Sequence, residues 1–489
     1  MKKKEQYLQE LLSAAPLSLE QVLQAREQRV LRQQRLMKEG GTMVSFTLNI
    51  AGAVKSSPLF SAAYAEGKRR ILQGLRYQGA AVLALGEIHE PTGDELCLLT
   101  DADLETVKRR MVELEESCPL GRLFDIDVMD ATTDKISRRQ LGFPPRRCLL
   151  CKETAAVCAR SQAHPISSLM ERTVEIIWDY FAQQYAHEVA NNACRALLYE
   201  VTAAPKPGLV DRCNNGSHRD MTPFTFIDSA CVLYPYFRDC ALRGIEQREE
   251  PQQLFAILRC LGKEAEDRMR HATNGVNTHK GAIFSMGIFC AATAAASLRE
   301  GGYSRTRLAE GCAALCKGLC DDFVQLDRGL RPPCSYGEHL YCQHGIVGIR
   351  GEAERGFPSV MQLGLPALQA ALKQGESCND AALYALLQLM TSVEDTNVLT
   401  RSDLQTLKWM QQQADSMLQK GRLEHHLLQE LDARMIERNI SPGGCADLLA
   451  LCLFVHFWEE NLSKGILPYP QESGDLFGEN AENKAFTIK

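Results

Sequence analysis

The sequence predicts a multidomain chain, with an α+β domain over residues 1–167 followed by a larger all-α domain over residues 168–489. Three observations carry this. A chain of 489 residues is longer than one hydrophobic core usually serves. Apolar residues alternating with period two occur only in roughly the first third. From about Ser168 the apolar spacing changes to three and four residues and stays there.

In chain order, Leu19–Lys38 is highly charged, with few apolar positions among them Val22, Val30 and Leu31, and reads as an exposed helix. Met43–Ile50 alternates: Val44, Phe46, Leu48 and Ile50 share one face, and Ser45, Thr47 and Asn49 share the other. Further strands are expected at Ala80–Leu85, Leu96–Leu99 and Leu123–Met129, with a helix near Asp103–Glu116. Strands interrupted by helices make an α+β domain. The second domain opens with a long amphipathic helix through Val174, Ile177, Phe181, Val189, Leu197 and Val201. It must stop at Pro205 and Pro207. Helical spacing recurs at Gln252–Arg270, Ala282–Leu298, Arg307–Leu326, Leu365–Lys373, Asp380–Val393, Leu404–Gln419, His425–Arg438 and Ala446–Leu462. The stretch after about Tyr469 reads as a loose terminus.

Composition narrows the function. Lys and Arg number 55 against 61 Asp and Glu, a net charge of −6, which gives no general reason to bind nucleic acid or anionic lipid. Nineteen scattered cysteines, an odd number, suit buried thiols in a reducing compartment better than a disulfide framework. The basic start is followed by no apolar run of the kind a secretory signal needs. Gly281–Leu298 is uncharged but rich in Ala, Gly, Ser and Thr, and reads as a buried helix rather than a membrane span. A cytoplasmic protein is expected.

Three features of the first domain carry chemistry. On a strand, Asp125 and Asp127 share a face roughly 7 Å apart, a pair able to hold Mg²⁺ against a polyphosphate. An ordinary acidic strand face is the competing reading. From Lys135 to Arg160 there are seven cationic residues and one acid, and Arg138, Arg139, Arg146 and Arg147 are the candidate phosphate ligands. Cys148, Cys151, Cys158 and His164 are three thiols and an imidazole at short spacings, a possible tetrahedral zinc site. Buried, unliganded thiols are the alternative.

The segments Arg122-Leu-Phe-Asp-Ile-Asp-Val128, Ile136-Ser-Arg-Arg-Gln-Leu-Gly-Phe-Pro-Pro-Arg-Arg-Cys-Leu-Leu-Cys151 and Cys158-Ala-Arg-Ser161 resemble apo-citrate lyase phosphoribosyl-dephospho-CoA transferase. This family is also called citrate lyase holo-acyl-carrier-protein synthase. The resemblance, over about residues 15–165, implies a nucleotidyltransferase-like domain. A serine of the citrate lyase acyl carrier protein (its γ subunit) would attack the α-phosphate of 2′-(5-triphosphoribosyl)-3′-dephospho-CoA and release pyrophosphate. Asp125 and Asp127 would be its catalytic, Mg²⁺-holding pair.

Four polar islands interrupt the second domain: Glu200–Asp220, Thr273–Gly281, His344–Pro358, and Glu394–Asn397 with Asn439–Asp447. Loops between helices are rich in Gly, Pro and Asn for turn reasons alone. These islands also pair carboxylates repeatedly with Lys, Arg and His. Neither a GxxxxGK[ST] loop nor a GxGxxG turn is present, so any use of ATP follows another design. The runs Ala204-Pro-Lys-Pro-Gly-Leu-Val-Asp-Arg212, Gly275-Val-Asn-Thr-His-Lys-Gly281, Gly348-Ile-Arg-Gly-Glu-Ala353 and Ile440-Ser-Pro-Gly-Gly444 resemble triphosphoribosyl-dephospho-CoA synthase. Two positions depart from its pattern: Cys445 stands where a serine is expected, and Leu399-Thr-Arg-Ser-Asp403 lacks an Arg-Gly-Gly.

The second resemblance, over about residues 175–465, implies that the 2′-hydroxyl of 3′-dephospho-CoA attacks C1′ of ATP and adenine leaves. Lys206, Arg212, Lys280 and Arg350 would hold phosphates. Asp211, Glu352, Glu394, Asp395 and Asp447 would supply Mg²⁺ ligands or the base, with Glu352 and Asp395 the catalytic choices, and His279 would meet phosphate or adenine. Together the halves imply a bifunctional transferase that takes ATP and 3′-dephospho-CoA, uses Mg²⁺ and can carry structural Zn²⁺. Its partners would be the carrier protein and small nucleotides, without nucleic acid or membrane. Two alternatives stay open: the equivalent enzyme for malonate decarboxylase, and a zinc-bearing, nucleotide-binding regulator without turnover.

Overall fold

The computed structural model describes residues 4–132, 135–246, 250–297 and 302–464. The tail after Tyr469 lies outside them. The chain divides into two compact units between Ala182 and Gln183, inside the helix Ile166–Thr202. The change of texture near residue 167 marks the start of that helix.

The first unit is built on an antiparallel sheet of β1 (Thr42–Leu48), β2 (Val82–Glu90), β3 (Gly93–Thr100) and β4 (Phe124–Met129), in the order β2-β3-β1-β4. The alternation in the sequence sets which side chains are buried. Val44, Phe46, Phe124, Ile126 and Val128 are enclosed beneath the helices Pro58–Tyr77 and Leu104–Glu116. Asp103 starts the second of these helices by accepting from the Thr106 amide at 2.9 Å, the reason its charge stands just outside the helix.

The opposite sheet face differs from the solvated one that alternation suggests. The helix Leu19–Met37, started by a Ser18–Gln21 capping box, lies over β1 and β3. Its contact is mixed: Leu36 joins a buried cluster of Met43, Cys97, Leu99 and Met129, and polar groups make the rest. Gln33 donates to Ser45 Oγ at 2.9 Å, and Arg29 and Arg32 pair with Glu95 at 2.9 and 2.8 Å. Ser45 is therefore buried although it alternates with the core positions. With Leu36 its single buried apolar residue beside these polar contacts, the helix carries no continuous apolar stripe for sequence periodicity to detect.

The second unit is helical throughout its described residues. The helix Lys280–Ser297 forms its interior, packed by Pro223–Glu246 and Gly443–Ser463. It is the one described helix long and apolar enough to cross a membrane, and 72% of it is buried within the protein. The stretch Arg307–Leu326, expected as one helix, is two: Arg305–Cys316 and Asp321–Asp327. Gly318 interrupts it at φ +85, a conformation other residues avoid. The helix Pro223–Glu246 escaped the sequence reading because Pro235 lies inside it. The short helices Tyr336–His344 and Thr396–Arg401 escaped because end caps, a Ser335–Glu338 box and Asp395, start them within polar islands.

Candidate functional site

In the first unit, β4 places Asp125 opposite Thr47 and Asp127 opposite Ser45. Both carboxylates face away from the core. Lys135 Nζ lies 2.5 Å from Asp127 Oδ2, and Arg146 Nη1 lies 3.8 Å from Asp125 Oδ1. Buried Glu115 gathers the arginines behind β4. It pairs with Arg146 and, at 3.1 Å, with Arg138, and it accepts from the Ile126 amide at 3.3 Å. Burial pushes the Glu115 carboxyl up, and Arg146, Lys108 and Arg138 pull against that shift.

Arg146 also donates to the Phe124 carbonyl at 2.6 Å, so the basic loop is tied to the acidic strand. Arg138, Arg146 and Arg147 line a cavity of about 260 Å³ with Glu115 and Glu116, while Arg139 lies exposed outside it. Asp125 lines a second recess of about 140 Å³ with Arg26, Arg29, Lys55 and Asp94. Sequence reasoning missed these four. Arg26 and Arg29 are one helical turn apart, a signal hidden by the overall charge of their helix.

Cys148, Cys151, Cys158 and His164 come together, with their ligand atoms all within 4.8 Å of one another. Cys158 is both a buried helical residue, on Ala155–Ser161, and a member of this cluster.

In the second unit, the first, second and fourth islands meet around a cavity of about 300 Å³ lined by Glu200, Lys206, His218, His279, Lys280, Asn397, Arg401 and Asp447. The Gly443–Ser463 helix aims Asp447 at the first turn of Lys280–Ser297. Gly281 permits this approach, because a Cβ there would lie 2.0 Å from Asp447 Oδ2. Lys206 is buried against Glu200. Burial beside Glu200 and Asp395 pushes the Asp447 carboxyl well above the usual range, and the Ala282 amide opposes the shift only in part.

His279 shares a 2.6 Å hydrogen bond with Ser229 Oγ through Nδ1, and its buried Nε2 has no partner. Burial first, and Lys206 second, push its pKa down to about 3, so the imidazole is neutral. His218 hydrogen-bonds Ser441 Oγ at 2.9 Å and accepts from Arg401 at 3.2 Å. Burial and the guanidinium push its pKa down as well.

Several expected site residues are instead braces. Asp211 spends its oxygens on the amides of Lys206, Cys213 and Asn214, at 2.8, 2.7 and 3.1 Å. Asp395 accepts from the amides of Asn397, Val398 and Cys445, at 2.9, 3.3 and 2.8 Å. These bonds fix loops and leave little capacity for a metal. Arg212 donates to the Thr202 carbonyl and to Asn379, at 2.7 and 2.8 Å. Glu352 accepts from Ser359 Oγ at 2.7 Å, and Glu394 is exposed; neither lines this cavity.

Arg350 lies over the Phe323 ring and pairs with Asp322, in a neighbouring cavity of about 740 Å³. That cavity also holds Arg259, Lys263, Phe255 and Phe284, and meets the first one at Lys280 and Gly281. Glu200, His218, Asn397 and Arg401 were missed as site residues. The available signal for Glu200 was a charge in the apolar last turn before Pro205.

Comparison with known proteins agrees with this two-part layout. Residues 17–180 match the family model of apo-citrate lyase phosphoribosyl-dephospho-CoA transferase. Residues 186–465 match that of ATP:dephospho-CoA triphosphoribosyl transferase. The protein CitXG of Haemophilus influenzae is 36% identical over 458 residues, covering 90% of this chain and 96% of that one. CitXG of Leuconostoc mesenteroides subsp. cremoris is 36% identical over 463 residues, covering 90% and 97%. The 2-(5''-triphosphoribosyl)-3'-dephosphocoenzyme-A synthase of Pectobacterium atrosepticum is 38% identical over 294 residues, covering 60% of this chain and 96% of that one.

Proposed function

The chain belongs to the CitXG family, and on that premise we propose how its residues divide the work. It is a bifunctional transferase of citrate lyase prosthetic-group biosynthesis. The carboxyl-terminal half makes 2′-(5-triphosphoribosyl)-3′-dephospho-CoA from ATP and 3′-dephospho-CoA and releases adenine. The amino-terminal half transfers the phosphoribosyl-dephospho-CoA group and releases pyrophosphate. The acceptor we assign is a serine of the citrate lyase acyl carrier protein. We set the border of the two activities near the start of the helix Ile166–Thr202, and a cytoplasmic setting suits ATP as substrate and nineteen unpaired cysteines.

The observation that carries the synthase reading is the convergence of Glu200, Lys206, His279, Lys280, Arg401 and Asp447 on one cavity from distant parts of the chain. Two carboxyls with different surroundings suit the two proton transfers of a glycosyl exchange. Asp447, which no cation pairs with among the described residues, is the protonated acid. It gives its proton to adenine as the C1′–N bond breaks. Glu200, whose carboxyl burial pushes up and Lys206 pulls back down, takes the proton of the 2′-hydroxyl as the C1′–O bond forms. Lys280 and Arg401 take the triphosphate. Neutral His279 offers Nε2 to the base rather than a charge to phosphate. The larger adjoining cavity takes 3′-dephospho-CoA, with Arg259, Lys263 and Arg350 for its phosphates and Phe255 and Phe284 for its apolar arm.

Crowded carboxylates also suit Mg²⁺. In the second unit Asp447, raised chiefly by burial and kept as the protonated acid, is not a ligand for it, since a carboxyl that carries its proton holds Mg²⁺ poorly. In the first unit, Asp125 and Asp127 offer hard oxygen ligands at an open surface. When bound there, Mg²⁺ neutralises phosphate charge. Arg146 and Lys135 orient the polyphosphate, and the antiparallel sheet with its acidic outer strand supports a nucleotidyltransferase-like reading. The decisive experiment is mass spectrometry of apo carrier protein incubated with ATP, dephospho-CoA, Mg²⁺ and this protein. We expect the full prosthetic group on one serine and free adenine in solution. ADP as the main nucleotide product would overturn the glycosyl transfer.

A further inference from the structure

We propose that Cys148, Cys151, Cys158 and His164 form a tetrahedral zinc site that holds the arginine-bearing loop of the first unit against β4. Cys151 Sγ lies 3.4 Å from Cys158 Sγ and 3.3 Å from His164 Nε2, and all four ligand atoms lie within 4.8 Å of one another. Tetrahedral zinc with bonds of about 2.3 Å to sulfur sets its ligand atoms roughly 3.8 Å apart, so small shifts complete the site. Three soft thiolates and an imidazole select zinc over the hard Mg²⁺ of the neighbouring carboxylates.

The local backbone is arranged for this. Arg147 and Thr154 form an isolated antiparallel bridge, and the Cys148 amide donates to the Glu153 carbonyl at 2.8 Å, closing a tight loop around Cys151. The Leu150 amide points at Cys148 Sγ from 3.5 Å, a contact that favours a thiolate. The helix Ala155–Ser161 delivers Cys158. Gln162, in the left-handed region at φ +50, then turns the chain so that His164 returns to Cys151.

Energetics point the same way. Among the described residues from Lys135 to His164, only Cys148 and Cys158 are buried. Thirty residues whose interior is two thiols have no hydrophobic core to order them, and a metal is a usual replacement. The segment is tied to the acidic strand at one end. Arg146 donates to the Phe124 carbonyl, and Arg122 donates to the Arg147 carbonyl, both at 2.6 Å. Zinc would therefore fix Arg146 beside Asp125. That positioning role rests on the transferase reading above, whereas metal binding does not.

The test uses the full chain, expressed with zinc and purified without chelators. Metal analysis should find about one zinc per chain. Replacement by Co²⁺ should give the intense ligand-field bands of a tetrahedral site and thiolate-to-cobalt charge transfer. Cys151→Ser should abolish both signals, Cys213→Ser should keep them, and His164→Cys should keep the metal with stronger charge transfer. Adenine release reports that the second unit of each variant is folded, and the metal retained by His164→Cys reports the same of the first. Zinc-free protein without cobalt–thiolate bands would overturn the site, as would a Cys151–Cys158 disulfide in fresh protein. A full zinc complement in a chain that fails to modify its carrier would leave the site standing and overturn the transferase assignment instead.

Discussion

In the amino-terminal site the charges stand in water: the side chains of Asp125, Asp127 and Lys135 keep 54%, 34% and 56% of their exposure. In the carboxyl-terminal site Lys206 and Glu200 keep 1% and 7%. The reactions proposed for the two units explain the contrast. A serine on another protein can be reached only from an open face. An oxocarbenium-like sugar, by contrast, is destroyed by water, so its site must bury polar groups and bear the desolvation cost. Exposed charges are the cheaper design, and the buried ones are kept where the chemistry requires them.

The buried pair offers the sharpest way to break this comparison. Lys206→Met leaves Glu200 buried without its cation, and we expect a loss of about 3–5 kcal/mol in urea unfolding of the second unit. Adenine release should disappear with it. A variant of wild-type stability would mean that Glu200 is protonated and that the pair contributes no charge.

The next effect separates the two activities. Asp127→Asn preserves size and removes charge, so folding should survive while serine modification falls by roughly 10²-fold or more. Adenine release should stay unchanged, and pre-made triphosphoribosyl-dephospho-CoA should not rescue the variant. The same compound should rescue Lys280→Ala. Transfer by Asp127→Asn at the wild-type rate would reduce the carboxylate pair to an acidic strand face.

Acid titration probes burial in a third way. His279 is held at about 3 against an ordinary 6.5. Between those values the unfolded chain binds a proton that the native chain refuses, so stability falls as pH drops from 6.5 toward 3. His279→Asn should flatten this acid limb in urea midpoints measured at successive pH values. An unchanged slope would place the titrating group elsewhere. The smallest effect belongs to the exposed pair: Lys135→Ala should change stability by less than about 1 kcal/mol in the same assay. A larger loss would mean that the amino-terminal site is less open than its exposure indicates.

Strands β1 and β4 and most of the long helices were legible because their core-facing side chains recur with a period of two or about 3.6. By contrast β2, with no fully buried residue, and β3, buried on both faces, showed only as short apolar runs. The Leu19–Met37 helix was legible as a helix but not in its role, since Gln33, Arg29 and Arg32 meet the sheet through polar atoms. The candidate sites divide similarly. His279, Lys280 and Asp447 could be singled out because they sit in marked motifs. Arg401 and His218 could not, because their position depends on contacts between segments almost two hundred residues apart.

The sequence by itself determined the order of an α+β and an all-α part, the polar islands and the four zinc-ligand candidates. Each of these depends on local spacing or on residue type. Only the tertiary structure decided which charged residues of an island face the cavity and which are spent on the backbone. Asp211 and Asp447 are both acids in marked motifs. One turns its oxygens to the amides of its own loop, and the other is carried by a helix to the first turn of a distant one. Residue type fixes what a carboxylate can bind. The partners that long-range packing brings within hydrogen-bond reach fix what it does bind.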